Sequence, residues 1–167
     1  MALTQNLNKE ILPYYKAYSL KAIRISSFFF GVFSVVLMVI HNLKVFEKLT
    51  PEKSLSPFLK TKYPKSYNNE IIKSIWIYGF CIFSLEVLVA VFIPNIPNAA
   101  YIAIAPAFGE FIYNKYLKKN QIKYITTVKT QSVIRIIWTG IKGMLLSLVF
   151  VFSLVRILFL IGVNIPE

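Results

Sequence analysis

The chain has 167 residues, 56% hydrophobic and 16% aromatic, and it carries a formal net charge of +12. Soluble domains of this size are less apolar, so the composition argues against an ordinary soluble domain. The sequence has no Asp, one His and one Cys, which leaves too few residues for the usual catalytic constellations or a histidine-rich metal site. We therefore predict no catalytic centre, no metal and no cofactor.

Four apolar stretches follow one another along the chain. They cover residues 25–43, 74–93, 99–117 and 143–165. A helix needs roughly 20 apolar residues to cross a hydrocarbon core of about 30 Å, so each stretch is a candidate span. The first is only just long enough, and the alternative is a re-entrant segment that enters the bilayer and returns. These patterns predict an all-α, polytopic membrane protein with one integral membrane domain over residues 1–167.

Two basic loops separate the spans, at residues 44–73 and 118–142. The positive-inside bias places both loops on the cytoplasmic side. Four full spans would leave both termini outside, whereas a re-entrant first segment would bring the N-terminal tail to the side of the loops. We expect the basic face to attract anionic lipid headgroups and not nucleic acid, because no folded polar domain carries the charge. Its representative lysines are Lys60, Lys62, Lys65, Lys118, Lys119 and Lys123.

Three ionisable residues lie inside the predicted spans, and a charge there is costly without a partner. Glu86 lies about 20 Å along its helix from Lys73, and Arg156 lies about 21 Å from Lys142. The two spans run in the same direction, so we predict an intramembrane pair of Glu86 with Arg156. Alternatives are that Arg156 extends to the outer headgroups, or that the charges serve transport.

Glu110 is the third of these residues, about 12 Å along the helix from Lys118. Lys142 is its predicted partner. The alternative is that Glu110 extends toward the interface as a packing residue.

Small residues recur at helical spacing and predict faces for close helix packing. The third span carries two such rows, and the first span carries a shorter one. The residues are Ala99, Ala103 and Ala107; Ala105 and Gly109; and Ser27 and Gly31. These faces suit internal packing or oligomerisation, and the sequence does not distinguish the two.

Four aromatic residues stand near the predicted cytoplasmic ends of the spans, as in an aromatic belt. They are Trp76, Trp138, Tyr113 and Tyr116. We expect the single cysteine, Cys81, to be a small buried apolar residue. We expect the single histidine, His41, to be an interfacial polar residue.

The segment "GEFIYNKYLKK", residues 109–119, resembles a membrane-exit stretch in a family of small bacterial membrane proteins of unknown function. In both, a Gly and a polar residue precede a Tyr and a basic tail. Glu110 stands where that family would have Asn. The resemblance implies a membrane location and no activity.

These observations favour a non-catalytic integral membrane subunit that assembles with itself or with a membrane partner and presents its basic loops to the cytoplasm. One alternative is a small channel, pore-former or transporter that uses Glu86, Glu110 and Arg156. A lipid-modifying enzyme is a second alternative. The expected location is a bacterial inner membrane, with an organellar membrane as the alternative.

Overall fold

The computed structural model of the protein describes residues 16–49, 65–93, 98–118 and 128–162, and these residues are mostly helical. Five α-helices, one π-helical turn and two very short strands follow one another in these ranges. In chain order they are β1 (Lys16–Ala17), α1 (Leu20–Phe30), α2 (Val32–Leu49), α3 (Lys65–Phe92), α4 (Asn98–Ile112), the π-helical turn (Tyr113–Leu117), β2 (Lys129–Thr130) and α5 (Val133–Leu160).

The first apolar stretch folds into a helical hairpin that turns at Gly31. This glycine has φ 75° and ψ −168°, a backbone conformation that is essentially restricted to glycine. The side chains of Ile23 and Val35 both lie beside Gly109, and the backbone N–H of Tyr18 donates to Asn42. α1 and α2 are therefore antiparallel neighbours. A single continuous helix over residues 25–43 is therefore not formed, because the chain turns back at Gly31.

Helix α2 forms the centre of the protein and is apolar on every side. Nearly all its side chains from Val32 to Phe46 are buried, and α1, α3, α4 and α5 pack around it. A helix that is hydrophobic all round is stable only when neighbours cover its whole surface. The second half of the stretch predicted to span the membrane is therefore protein core, whereas Ile25, Phe28 and Phe29 in its first half are exposed.

Glycines allow three helices to approach the hairpin closely. A Cβ atom at Gly143 of α5 would lie 2.5 Å from the backbone N of Ser34. One at Gly79 of α3 would lie 2.6 Å from Val36, and one at Gly109 of α4 would lie 3.3 Å from Val35. Small residues let helix backbones come together in this way.

The N-terminal end of the hairpin is joined to the start of α5. β1 and β2 form a parallel two-stranded ladder in which Lys16 is opposite Lys129. The backbone N–H of Gln131 donates to the carbonyl of Ala17 at 3.0 Å. Residue 16, the C-terminal part of α2 and the N-terminus of α5 therefore lie at the same end of the molecule.

Two helices in the described ranges are long and apolar enough to cross a membrane: Asn69–Phe92 within α3, and Val133–Leu160, which is α5. At about 1.5 Å per residue they measure about 36 and 42 Å. α5 includes both the predicted fourth span and the residues before it, while residues 163–165 of that span lie outside the described ranges. Four spans are not shown. The third candidate consists of α4 and the π-helical turn, with Pro106 inside α4.

The two long helices continue past the hairpin. In the stretch after Phe83 in α3 and after Gly143 in α5, no described residue is buried. We call these stretches, residues 84–93 and 144–162, the distal segments. Their apolar side chains include Phe152 and Phe159, which are 72% and 77% exposed. Tertiary packing thus covers α2 and much of α4 but leaves most side chains of the distal segments exposed, although Val87, Phe150 and Val151 pack partly against the core.

Candidate functional site

A buried amide fixes the open end of the hairpin. The Asn42 side chain accepts a hydrogen bond from the Tyr18 backbone N–H at 2.7 Å and donates one to the Tyr18 carbonyl at 2.8 Å. Asn42 is fully buried and Tyr18 is nearly so. The Tyr18 hydroxyl lies 2.7 Å from Thr139 Oγ1 on α5. One side chain therefore satisfies two backbone groups that would otherwise be buried without partners.

His41 lies beside this contact and takes part in a small polar cluster. Its Nε2 is 3.0 Å from the Lys16 carbonyl and 3.0 Å from Nε2 of Gln131. The Gln131 amide also donates to the Lys16 carbonyl at 3.1 Å, while its Oε1 is buried without a partner among the described residues. The His41 ring packs edge-on against Tyr18 at 5.1 Å. His41 therefore holds three chain segments together, and the prediction of a merely interfacial residue missed this.

Glu110 is paired with a residue that the sequence did not indicate. Its carboxylate lies 2.7 Å from the Arg24 guanidinium, and both side chains are about half exposed. The contact ties α4 to α1. Lys142, the predicted partner of Glu110, instead lies over the Trp138 ring at 5.8 Å. The hairpin explains the difference, because its turn brings α1 beside α4.

Glu86 and Arg156 both lie on the distal segments. Glu86 is partly exposed on α3 and Arg156 is exposed on α5. Among the described residues, the ion pair present is that of Arg24 with Glu110, and Glu86 and Arg156 are not within ion-pair distance of each other.

An aromatic cluster joins α2, α3 and α5 near the hairpin turn, and Phe150 of this cluster belongs to the distal segment of α5. Phe33 of α2 contacts Phe83 at 5.1 Å and Phe150 at 6.1 Å between ring centroids. Phe83 and Phe150 are themselves 5.7 Å apart. Glu86 follows Phe83 by one helical turn, and Arg156 follows Phe150 by less than two. The two charges therefore lie at similar heights, within about 5 Å along the helix direction.

Lys115, in the π-helical turn, is surrounded by aromatic rings. Its ammonium lies 4.9 Å from the Tyr78 ring, 5.3 Å from Tyr116 and 5.4 Å from Phe111, and it donates to the Tyr78 hydroxyl at 3.5 Å. Such cation–π contacts hold a charge beside apolar surface. The wider turn re-aims this side chain, so the spacing along the chain gave no signal for it.

The small-residue rows divide between packed and exposed faces. Ala105 and Gly109 are buried, as is Ser27, while Ala103 and Ala107 are exposed. Ala99 lies on α4, but its side chain is outside the described part. The packing glycines Gly79, Gly140 and Gly143 were not recognised from the sequence. Gly140 and Gly143 do lie three residues apart on one helix face, which was the available signal.

The aromatic residues show a similar division. Tyr113 is buried in the core, and Trp76 stacks on Phe80 with centroids 5.7 Å apart. Trp138 is 57% exposed, as a belt residue would be. The expectation that Cys81 is buried is wrong, because it is exposed on α3.

Most of the representative lysines of the basic face cannot be placed. Lys60, Lys62, Lys119 and Lys123 lie outside the described residues, and Lys65 is described only as part of α3. Lys118, at the end of the π-helical turn, is exposed.

No protein-family model matches the chain, and neither the curated proteins nor the solved structures contain a match. Within the described residues, no three of the His, Cys, Asp and Glu side chains are grouped so that they could hold a metal ion.

Proposed function

We propose that the protein is a non-catalytic integral membrane subunit that assembles with itself or a membrane partner and presents basic segments at the cytoplasmic face. The observation that carries this proposal is the bare apolar surface of α3 and α5. In the most apolar 18-residue stretch of each helix, only 11% is buried in α3 and 6% in α5. A water-soluble protein rarely exposes so large an apolar surface, whereas hydrocarbon chains would cover it at no cost.

The hairpin suggests how the chain is threaded. We propose that α1 and α2 enter from the cytoplasmic side and return, and that α3, α4 with the π-helical turn, and α5 each cross the bilayer. The N-terminal tail, the loop before α3 and the loop before α5 then share the cytoplasmic side. All the basic residues except Arg156 lie in or next to that side, in keeping with the positive-inside bias.

The contacts at this end support a role as a rigid platform. Asn42, His41 and Gln131 fasten the N-terminal segment to α2 and α5. The basic segments are therefore attached to a fixed base, from which they can bind anionic headgroups or an acidic protein surface. The expected location is a bacterial inner membrane, with an organellar membrane as the alternative.

Membrane insertion can be tested by alkaline extraction of membranes that carry the tagged protein. We expect the protein to stay in the pellet. A Phe152→Asp variant should be retained less well, because a charge inside the hydrocarbon is unfavourable. Arg135→Asp, an exposed change near the N-terminus of the same helix, is the matched control and should behave like wild type. Release of the wild-type protein into the supernatant would contradict the proposal.

Assembly can be tested by mild purification of the tagged protein from its native membrane, followed by identification of the proteins that accompany it. We expect a second copy or a defined membrane partner in a fixed ratio. A monomer that carries no other protein would contradict the subunit role. It would leave membrane insertion untouched.

A further inference from the structure

The distal segments carry two opposite charges, and neither has an ion-pair partner within the described part of the chain. Glu86 and Arg156 lie beyond the Phe83–Phe150 contact, and the chain itself does not pair them. Each isolated charge in hydrocarbon is unfavourable. A surface that supplies the opposite charge at the same height would remove that cost, because a guanidinium and a carboxylate bind each other through two parallel hydrogen bonds.

A second copy of this chain provides such a surface. If two copies are related by a two-fold axis along the membrane normal, each residue lies at the same height in the bilayer in both copies. Glu86 of one copy then meets Arg156 of the other, and the reverse contact forms at the same time. Many apolar side chains of the distal segments are exposed on both copies, so they can pack around the two ion pairs.

We propose that the distal segments of α3 and α5 form a two-fold interface between two copies, in which Glu86 of each copy pairs with Arg156 of the other. This inference deepens the proposed function and rests on it, since it names the partner and the surface of assembly. The predicted pair thereby becomes a contact between chains. Two features support this interface. The two charges are complementary and lie at similar heights, and neither residue has an ion-pair partner within the described part of the chain.

Charge-reversal variants distinguish an ion pair between two chains from an ion pair within one chain. Glu86→Arg gives a chain with two arginines at these positions, and Arg156→Glu gives a chain with two glutamates. Each variant alone would bring like charges together at both contacts of the dimer. A mixture of the two variants would restore both opposite-charge pairs between chains, while within each chain the charges would remain alike.

The experiment uses full-length protein with two different tags, co-expressed and then reconstituted in liposomes. Co-purification through one tag and energy transfer between labelled copies report association. We expect wild type to associate, each single reversal to lower association at least tenfold, and the mixture of Glu86→Arg with Arg156→Glu chains to recover most of it. Glu70→Arg and Arg135→Glu, exposed changes near the N-termini of the same two helices, are matched controls and should associate like wild type.

Several results would overturn the inference in distinguishable ways. Recovery by the double reversal in one chain, without recovery in the mixture, would place the pair within the chain. Wild-type association that neither single reversal weakens would mean that Arg156 extends to the headgroups and that assembly uses another surface. Wild type that inserts in the membrane but does not associate with itself would exclude the dimer and leave a different membrane subunit as the partner.

Discussion

Asn42 is the residue whose polar contacts are most completely buried. Its side chain takes up both the N–H and the carbonyl of Tyr18, 24 positions earlier in the chain. These two backbone groups lie just before α1, where no helical partner is available to them. The amide thus substitutes for the missing backbone hydrogen bonds and fixes how the N-terminal segment enters the hairpin.

Replacing this amide should destabilise the protein strongly. Asn42→Leu keeps the number and branching of the side-chain heavy atoms but leaves two buried backbone groups unpaired, at a cost of about 1–3 kcal/mol each. We expect a clear fall in the melting temperature, measured in detergent by tryptophan fluorescence. Lys44→Leu, an exposed change two residues away, is the control and should melt within a degree or two of wild type. Equal melting of both variants would show that the Asn42 contacts contribute little.

At the scale of elements, Gly31 decides that the first apolar stretch is a hairpin and not a single long helix. No atom lies within 4 Å of a Cβ built on it, so the space around it is open. Its requirement for glycine comes from its backbone angles alone.

Substitution of Gly31 therefore tests the turn without disturbing the packing. Gly31→Ala and Gly31→Asn should both destabilise the fold by about 1–3 kcal/mol, since neither residue tolerates these angles. Asn would be tolerated if Gly31 needed only the ordinary left-handed αL conformation, which Asn adopts more readily than Ala does. Thermal melting of the two variants distinguishes these cases, and a stable Asn variant would contradict the conformation described.

Packing between elements depends on Gly143, where α5 meets the backbone of α2. A methyl group there would overlap the N and Cα atoms of Ser34, which cannot rotate away. Gly143→Ala should lower stability by about 1–3 kcal/mol, although alanine favours helix formation. Met144→Ala, on the exposed face beside it, is the control, and thermal melting again provides the measurement. A Gly143→Ala variant as stable as wild type would mean that the two helices are farther apart than described.

At the scale of the whole molecule, the proposed threading of the hairpin predicts the side of the membrane on which the N-terminus lies. We expect residues before Lys16 to be on the same side as the loop before α5, and the C-terminus to be on the opposite side. Reporter fusions at each terminus, or maleimide labelling of cysteines introduced at positions 5 and 166 into a Cys81→Ser background, provide the measurement. Termini on the same side would favour four full spans and contradict the re-entrant hairpin.

Composition and apolar length alone predicted a helical protein and the two long helices α3 and α5. This worked because the hydrophobic length needed to cross a bilayer is a local property, which can be read from consecutive residues. The height shared by Glu86 and Arg156 also followed from helix rise, since both charges lie at similar heights above the Phe83–Phe150 contact.

Tertiary structure decided the rest. The apolar stretch 25–43 has the composition of a span, yet it forms a hairpin around Gly31 whose second helix becomes the core. Hydrophobic residues suit lipid and protein interior equally well, so composition cannot distinguish the two environments. In the same way, the partner of Glu110 is Arg24, far away along the chain, because the fold and not the sequence separation brings α1 against α4.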